Sequence, residues 1–318
     1  MNRDVHAADG QRLAHHGRGG ELFVIILVNM LLKAVTLGIY HFWAKTRVRN
    51  YFWSQTSIDG ERLQYTGTGG ELFVGFLKAM GIVVLVVVAF VALSSLFAAS
   101  ALGPLLGLAV LPAVPVAIGA IRYSIWRYIL TRTQYRGIRF GLGGSAWQYG
   151  LQWLGWGLLT ALTLGIAKPW MSMGLKRYRI NNMAFGSRRF SFDGQGGDMI
   201  ATWLGCLLLA IPTLGLSMLW YALAENRYTA SRMRLGDDVG FALDLDFLPF
   251  LGLVITNMLL LIVTLGLAMP WVMVRTARFF AQRVAIDGQP DYAAIRQEQE
   301  RAEATGEGFG EAFDVGIA

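Results

Sequence analysis

Apolar residues in this chain fall in long unbroken runs, with little of the alternation of a half-buried strand. Residues 72–99, LFVGFLKAMGIVVLVVVAFVALSSLFAA, carry Lys78 as their only charge, and residues 101–121 carry none. About 20 apolar residues suffice to span a bilayer as a helix, and a helix of a soluble protein needs a polar face. These two runs predict transmembrane helices. Shorter apolar arms precede four copies of Thr-Leu-Gly, at Thr36, Thr163, Thr213 and Thr264. Each Thr-Leu-Gly is followed after four residues by Trp43, Trp170, Trp220 or Trp271. Eight residues beyond each Trp stands Tyr51, Tyr178, Tyr228 or Phe279, preceded by Asn50, Arg177, Arg227 or Arg278. A diverged copy without Thr-Leu-Gly keeps Arg127-Tyr128. Further aromatics follow at Tyr65, Phe140, Phe190, Phe241 and Tyr292.

This periodicity predicts an all-α polytopic membrane protein of five internal repeats. Each repeat is expected to be a transmembrane or re-entrant helical hairpin, then a basic interfacial helix and a short cytoplasmic β-hairpin. The expected units cover about 17–66, 67–140, 141–193, 194–241 and 242–290, between disordered tails at 1–16 and 291–318. Gly38, Gly165, Gly215 and Gly266 are the expected bends, because glycine tolerates the tight backbone of a turn. Arms of about 15 residues would reach roughly 22 Å at helical rise, so one continuous span per unit is the competing expectation.

The pattern G-x-G-G recurs at 17–20, 67–70, 141–144 and 194–197, followed by Glu21, Glu71, Ser145 and Asp198. A glycine-rich loop before a helix is also how phosphates are cradled. A carboxylate at the helix start repels phosphate, and no Gly-Lys-Ser/Thr follows, so these loops read as turns and N-caps. The fifth arm is preceded by Asp244-Leu245-Asp246 instead.

Only 15% of the 318 residues are charged, against about 25% for a soluble domain, and mean hydropathy is +0.45. The net charge of +7 lies largely in the segments after each Trp, which by the positive-inside tendency are expected to face the cytoplasm. Those segments mix arginine with aromatics, as interfacial helices do. Nucleic acid is not an expected partner, since no recognition motif accompanies the basic strips. Arg127, Arg177, Arg227 and Arg278 are candidate contacts for an anion or a lipid headgroup. Glu21, Glu71, Asp198 or Glu225 could neutralise them from within. Asn29 and Asn257 are candidate interhelical polar contacts, either closing a ring of units or holding adjacent helices together. Cys206 is the only cysteine. No metal set, cofactor motif or convincing catalytic constellation stands out.

The stretch GGELFVIILVNMLLKAVTLGIYHFWAKTRVRNYFWSQTSIDGERLQYTGTGGELF resembles the YjgN-like family, bacterial inner-membrane proteins carrying a domain of unknown function. The resemblance extends over roughly residues 17–290. It implies a multi-pass protein of the bacterial inner membrane and carries over no reaction and no functional residue. The functions in view are binding or transport of a small amphiphile or anion, or a structural role in assembly without a substrate.

Overall fold

Helix pairs alternate with short strands along the chain. The computed structural model describes residues 11–97, 102–288 and 290–295. The first helix pair is α1 (Gly19–Val35) with α2 (His41–Ser54), and the second is α3 (Gly69–Leu96) with α4 (Leu102–Thr131). Then come α5 (Ala146–Leu162) with α6 (Lys168–Asn181), and a 3-10 turn (Gly196–Met199) leading into α7 (Ile200–Leu208) with α8 (Leu216–Ser231). The last pair is α9 (Phe247–Val263) with α10 (Met269–Ala281). Strand β1 (Gln11–His15) precedes the first pair, and β2 (Thr56–Ile58), β3 (Glu61–Arg62) and β4 (Gln64–Tyr65) follow it. The remaining strands are β5 (Thr133–Tyr135), β6 (Ile138–Leu142), β7 (Met183–Phe185), β8 (Arg188–Phe192), β9 (Met233–Leu235), β10 (Val239–Leu243) and β11 (Val284–Asp287).

All eleven strands join one antiparallel sheet in the order β3-β2-β1-β11-β10-β9-β8-β7-β6-β5-β4. The first strand pairs with the last, Gln11 opposite Ile286. At the ends of the order, β3 pairs with β2 and β4 pairs with β5. Only Leu63 separates β3 from β4, and its N–H donates to Thr56 O at 2.9 Å. One extended segment thus serves both ends, and the sheet closes on itself. A lone two-stranded hairpin is marginal in water and leaves backbone groups unpaired at its edges. Pairing each hairpin with the next satisfies both edges.

The expected all-α polytopic architecture of five helical-hairpin repeats is overturned by this sheet. Among the described residues, moreover, only α3 is long and apolar enough to cross a membrane. At 17 residues, α1 is about 25 Å long, short of a hydrocarbon core of about 30 Å. Of the expected terminal tails, 1–10 and 296–318 lie outside the described residues, and the described parts are ordered. Residues 11–15 form β1, and Tyr292 and Ile295 join the core beside the strands, with Ile295 only 1% exposed. That core takes Leu13, Ile58, Tyr135, Phe185, Phe190, Leu235 and Ile286 from different strands and Leu63 from the link between β3 and β4. Inward positions of successive strands face one another in a closed sheet, so an apolar residue at each fills the centre.

Four helix pairs turn at Thr-Leu-Gly. After α1, Thr36 ends the helix, Leu37 takes φ of 49° and Gly38 takes 92°. Gly38 N–H donates to Lys33 O at 2.8 Å and Leu37 N–H to Ala34 O at 3.3 Å. This is the Schellman bond pattern, with leucine where glycine is usual. The Thr36 hydroxyl braces it, donating to Leu32 O at 2.7 Å and accepting from Tyr40 N–H at 3.0 Å. Thr163, Thr213 and Thr264 brace Leu164-Gly165, Leu214-Gly215 and Leu265-Gly266 in the same way. A left-handed leucine costs roughly 1–2 kcal/mol, and its side chain gains nothing from packing here. Leu37, Leu164, Leu214 and Leu265 are 95%, 88%, 94% and 92% exposed. Apolar tips so fully uncovered suit a lipid environment.

Candidate functional site

The sequence reasoning singled out the glycine loops, the basic helices and one exception at Asn50. The structure brings all three together at the junctions between successive helix pairs. Each loop ends at a helix N-cap, namely Arg18, Thr68, Ser145, Gln195 and Asp246. The tyrosine eight residues after Trp clamps the N-cap of its own helix pair. Tyr51 OH accepts from Arg18 N–H at 2.6 Å and donates to Arg18 O at 2.8 Å. Tyr178 treats Ser145 the same way, at 2.8 and 2.9 Å. Tyr228 OH accepts from Gln195 N–H and bonds Asp198.

The glycines of these loops make room for tryptophan. A Cβ on Gly19 would lie 2.3 Å from Trp271, one on Gly69 2.6 Å from Trp43, and one on Gly196 2.6 Å from Trp170. Each Trp therefore rests on the first turn of the next helix pair, where any side chain would displace it. At the fourth junction Trp220 meets Phe247 instead, ring centroids 5.0 Å apart.

Arginine closes three of the junctions from the other side. Arg177 donates to Gly194 O at 2.8 Å and Arg278 to Gly17 O at 2.7 Å. Arg127 donates to Gly143 O and Gly144 O. Gly17, Gly144 and Gly194 each directly precede an N-cap, so all three guanidiniums hold the same point of the loop. These arginines do not converge on a common anion; each is occupied by backbone carbonyls of a different loop. Arg227 is exposed and forms no bond with the described residues. The carboxylates pair elsewhere. Glu71 takes Arg132 at 3.1 Å, Asp198 lies 4.0 Å from Arg232, Glu21 lies 4.0 Å from Arg18, and Glu225 takes Lys176 at 2.8 Å. The Lys176–Glu225 pair is largely buried, and Lys176 also reaches Thr229 Oγ1 at 2.8 Å. Asn29 and Asn257 act within their own helix pairs. Asn29 donates to Ala44 O at 3.3 Å and Asn257 to Thr276 Oγ1 at 3.1 Å.

The first junction differs from the rest. Asn50 occupies the position that is arginine at the others, and it forms no hydrogen bond with the described residues. Beside it opens a groove of about 640 Å³, within the range of small-molecule sites. Val24, Ile25 and Val28 of α1 and Leu63 of the closing segment form its apolar wall. Arg47, Asn50 and Ser54, together with Gln64, line the polar part. Residues 47, 50 and 54 are three and four apart and share one face of α2. Arg47 spends one N–H on Tyr40 OH at 3.1 Å, leaving the rest of its fork open. Arg49 is engaged nearby, donating to Tyr65 OH at 3.1 Å. Among the described residues, no acidic side chain lines the groove. Sequence reasoning missed Val24, Arg47 and Gln64 as site residues. The one available signal was Asn50, the only non-arginine at its position.

Comparison with known proteins agrees with the motifs. Residues 10–224 and 204–312 match the family described as bacterial protein of unknown function (DUF898). The inner membrane protein YjgN of Salmonella typhimurium is 40% identical over 60 residues, 18% of this chain. The chain spans only 15% of that relative's length. No solved structure matches the chain. The matched relative supports a bacterial inner-membrane location and association with the lipid bilayer. Because the family model covers nearly all of the sequence, the chain belongs to the YjgN-like family of bacterial proteins of unknown function.

Proposed function

We propose that the protein binds a small amphiphile at the inner membrane, in the groove between α1, α2 and the closing segment of the sheet. The observation that carries this reading is the composition of that one groove, with an apolar wall of Val24, Ile25, Val28 and Leu63 beside Arg47, Asn50, Ser54 and Gln64. An apolar surface with a few convergent polar groups is what a ligand with a tail and a head requires. The exposed leucines of the helix turns and the basic α2, α6 and α10 support an orientation with the turns in lipid. The sheet and basic helices then lie on the cytoplasmic side.

The test uses the full chain in nanodiscs with a photo-crosslinkable palmitate. Crosslinked peptides from Val24–Val28 are expected in the unmodified protein and their loss in Val28→Trp, which fills the groove from an exposed position. Crosslinks spread along α3 with none in the groove would overturn the reading. That result would favour the alternative, a structural or assembly protein whose exposed apolar helix meets lipid or a protein partner.

A further inference from the structure

One residue lining the groove departs from the pattern of the other junctions, and the charge of the lining bears on the ligand. At three junctions an arginine three or four residues before the helix end lies beside the loop and donates to the carbonyl preceding an N-cap. At the first junction the carbonyl in that place belongs to Gly67, directly before the N-cap Thr68. Asparagine is several bonds shorter than arginine. It leaves the space open and keeps its amide for another partner.

We propose that Asn50 and Arg47 form a binding site for the headgroup of a single-chain anionic amphiphile, and that the asparagine at 50 is what opens it. This rests on the amphiphile reading of the same groove. Among the described residues lining the groove Arg47 is the only charged one, and the Glu21 carboxylate next to the groove is engaged by Tyr51 OH and lies 4.0 Å from Arg18. A cation is therefore repelled, and an uncharged head is a weaker acceptor for the guanidinium than a carboxylate or phosphate oxygen. A carboxylate or phosphate oxygen accepts from Arg47, and the Asn50 and Gln64 amides donate to its remaining lone pairs.

The tail has a path. Val24 and Val28 lie in the groove, and Leu31 and Val35 continue the same exposed face of α1 toward the turn at Leu37. From the groove to the turn this stripe is one helix face wide, enough for one chain. Carboxylate and phosphate heads share this recognition chemistry, and the probes distinguish them.

The experiment uses the full-length protein in zwitterionic nanodiscs. The probes are a diazirine-bearing palmitate, its methyl ester and a diazirine-bearing lysophosphatidic acid, with crosslinks mapped to α1. The expected result is labelling of Val24–Val28 by one or both anionic probes, identifying the head, and about tenfold less by the ester. That factor matches the loss of one charge-assisted hydrogen bond. Arg47→Gln is expected to bring the anionic probes down to the level of the ester. Asn50→Arg is expected to abolish groove labelling by all probes while the melting temperature does not fall, since arginine is already accommodated at positions 127, 177 and 278. Equal labelling by acid and ester overturns the anion site but leaves amphiphile binding intact. Absence of groove labelling by every probe overturns amphiphile binding itself. Full labelling of a folded Asn50→Arg protein overturns the role of Asn50.

Discussion

The junction between α2 and α3 and the junction between α6 and α7 use the same parts to different ends. In both, a tryptophan lies on a glycine at the start of the next helical segment, Trp43 on Gly69 and Trp170 on Gly196. At the second, Arg177 also locks the loop through Gly194 O. At the first, Asn50 does not, and it lines an open groove. Aromatic stacking on glycine holds the helix pairs together, and the arginine bond can be given up without losing the junction. A position that is free to vary in this sense is where a binding site can arise at little cost to the fold.

The largest effect is expected where the two junctions agree. Gly69→Ala and Gly196→Ala place a methyl within 2.6 Å of Trp43 and Trp170. Each should destabilise the protein by about 1–3 kcal/mol. Gly70→Ala and Gly197→Ala, where a Cβ meets nothing within 4 Å, serve as controls. Equal melting temperatures across all four variants would show that tryptophan docking does not hold the junctions.

Next comes the contrast itself. Arg177→Met removes the bond to Gly194 O and should cost about 1–2 kcal/mol, whereas Asn50→Ala should leave the melting temperature unchanged. If Asn50→Ala costs as much as Arg177→Met, the two junctions are not distinguished by this position.

A smaller effect of opposite sign is expected for Asn50→Arg, a gain of about 0.5–1.5 kcal/mol if the new guanidinium reaches Gly67 O. Thermal unfolding in nanodiscs measures it, and a loss in stability would mean that the first loop cannot accept the bond.

The smallest effect concerns pH on the strand side of the first helix pair. Burial, then the charges of Arg278 and His16, hold the pKa of His15 below its usual value. A histidine kept neutral in the fold favours the native state above its unfolded pKa of about 6.5. That advantage is lost as pH falls below it. The melting temperature should therefore drop from pH 7.5 to pH 5.5, and His15→Gln should reduce the drop. An identical drop in the variant would assign it to other groups.

Family and membrane association were legible in the sequence, because Thr-Leu-Gly, its trailing Trp and the apolar runs are local signals. The sheet was not. Strands of two to five residues carry too little pattern to reveal that β1 pairs with β11 or that Leu63 joins the two ends. The loop at 141–145 misled by register. Its Ser145 reads as the counterpart of Glu21, yet in the structure it is the N-cap, as Arg18 is in the first loop. The arginines were visible but their partners were not, since a backbone carbonyl leaves no mark in a sequence. Asn50 stood out by type, and only the structure shows that it lines a groove.

The pairing of β1 with β11 imposes an order on synthesis. When Gln11–His15 leaves the ribosome, one neighbour, β2, follows within about 45 residues, but the other is not made until Val284–Asp287. For most of translation β1 presents an unpaired edge, a natural place for misassembly with another nascent chain. The sheet cannot close until β11 is made, so a product stopped after α10 would carry all its helices and still lack a finished ring.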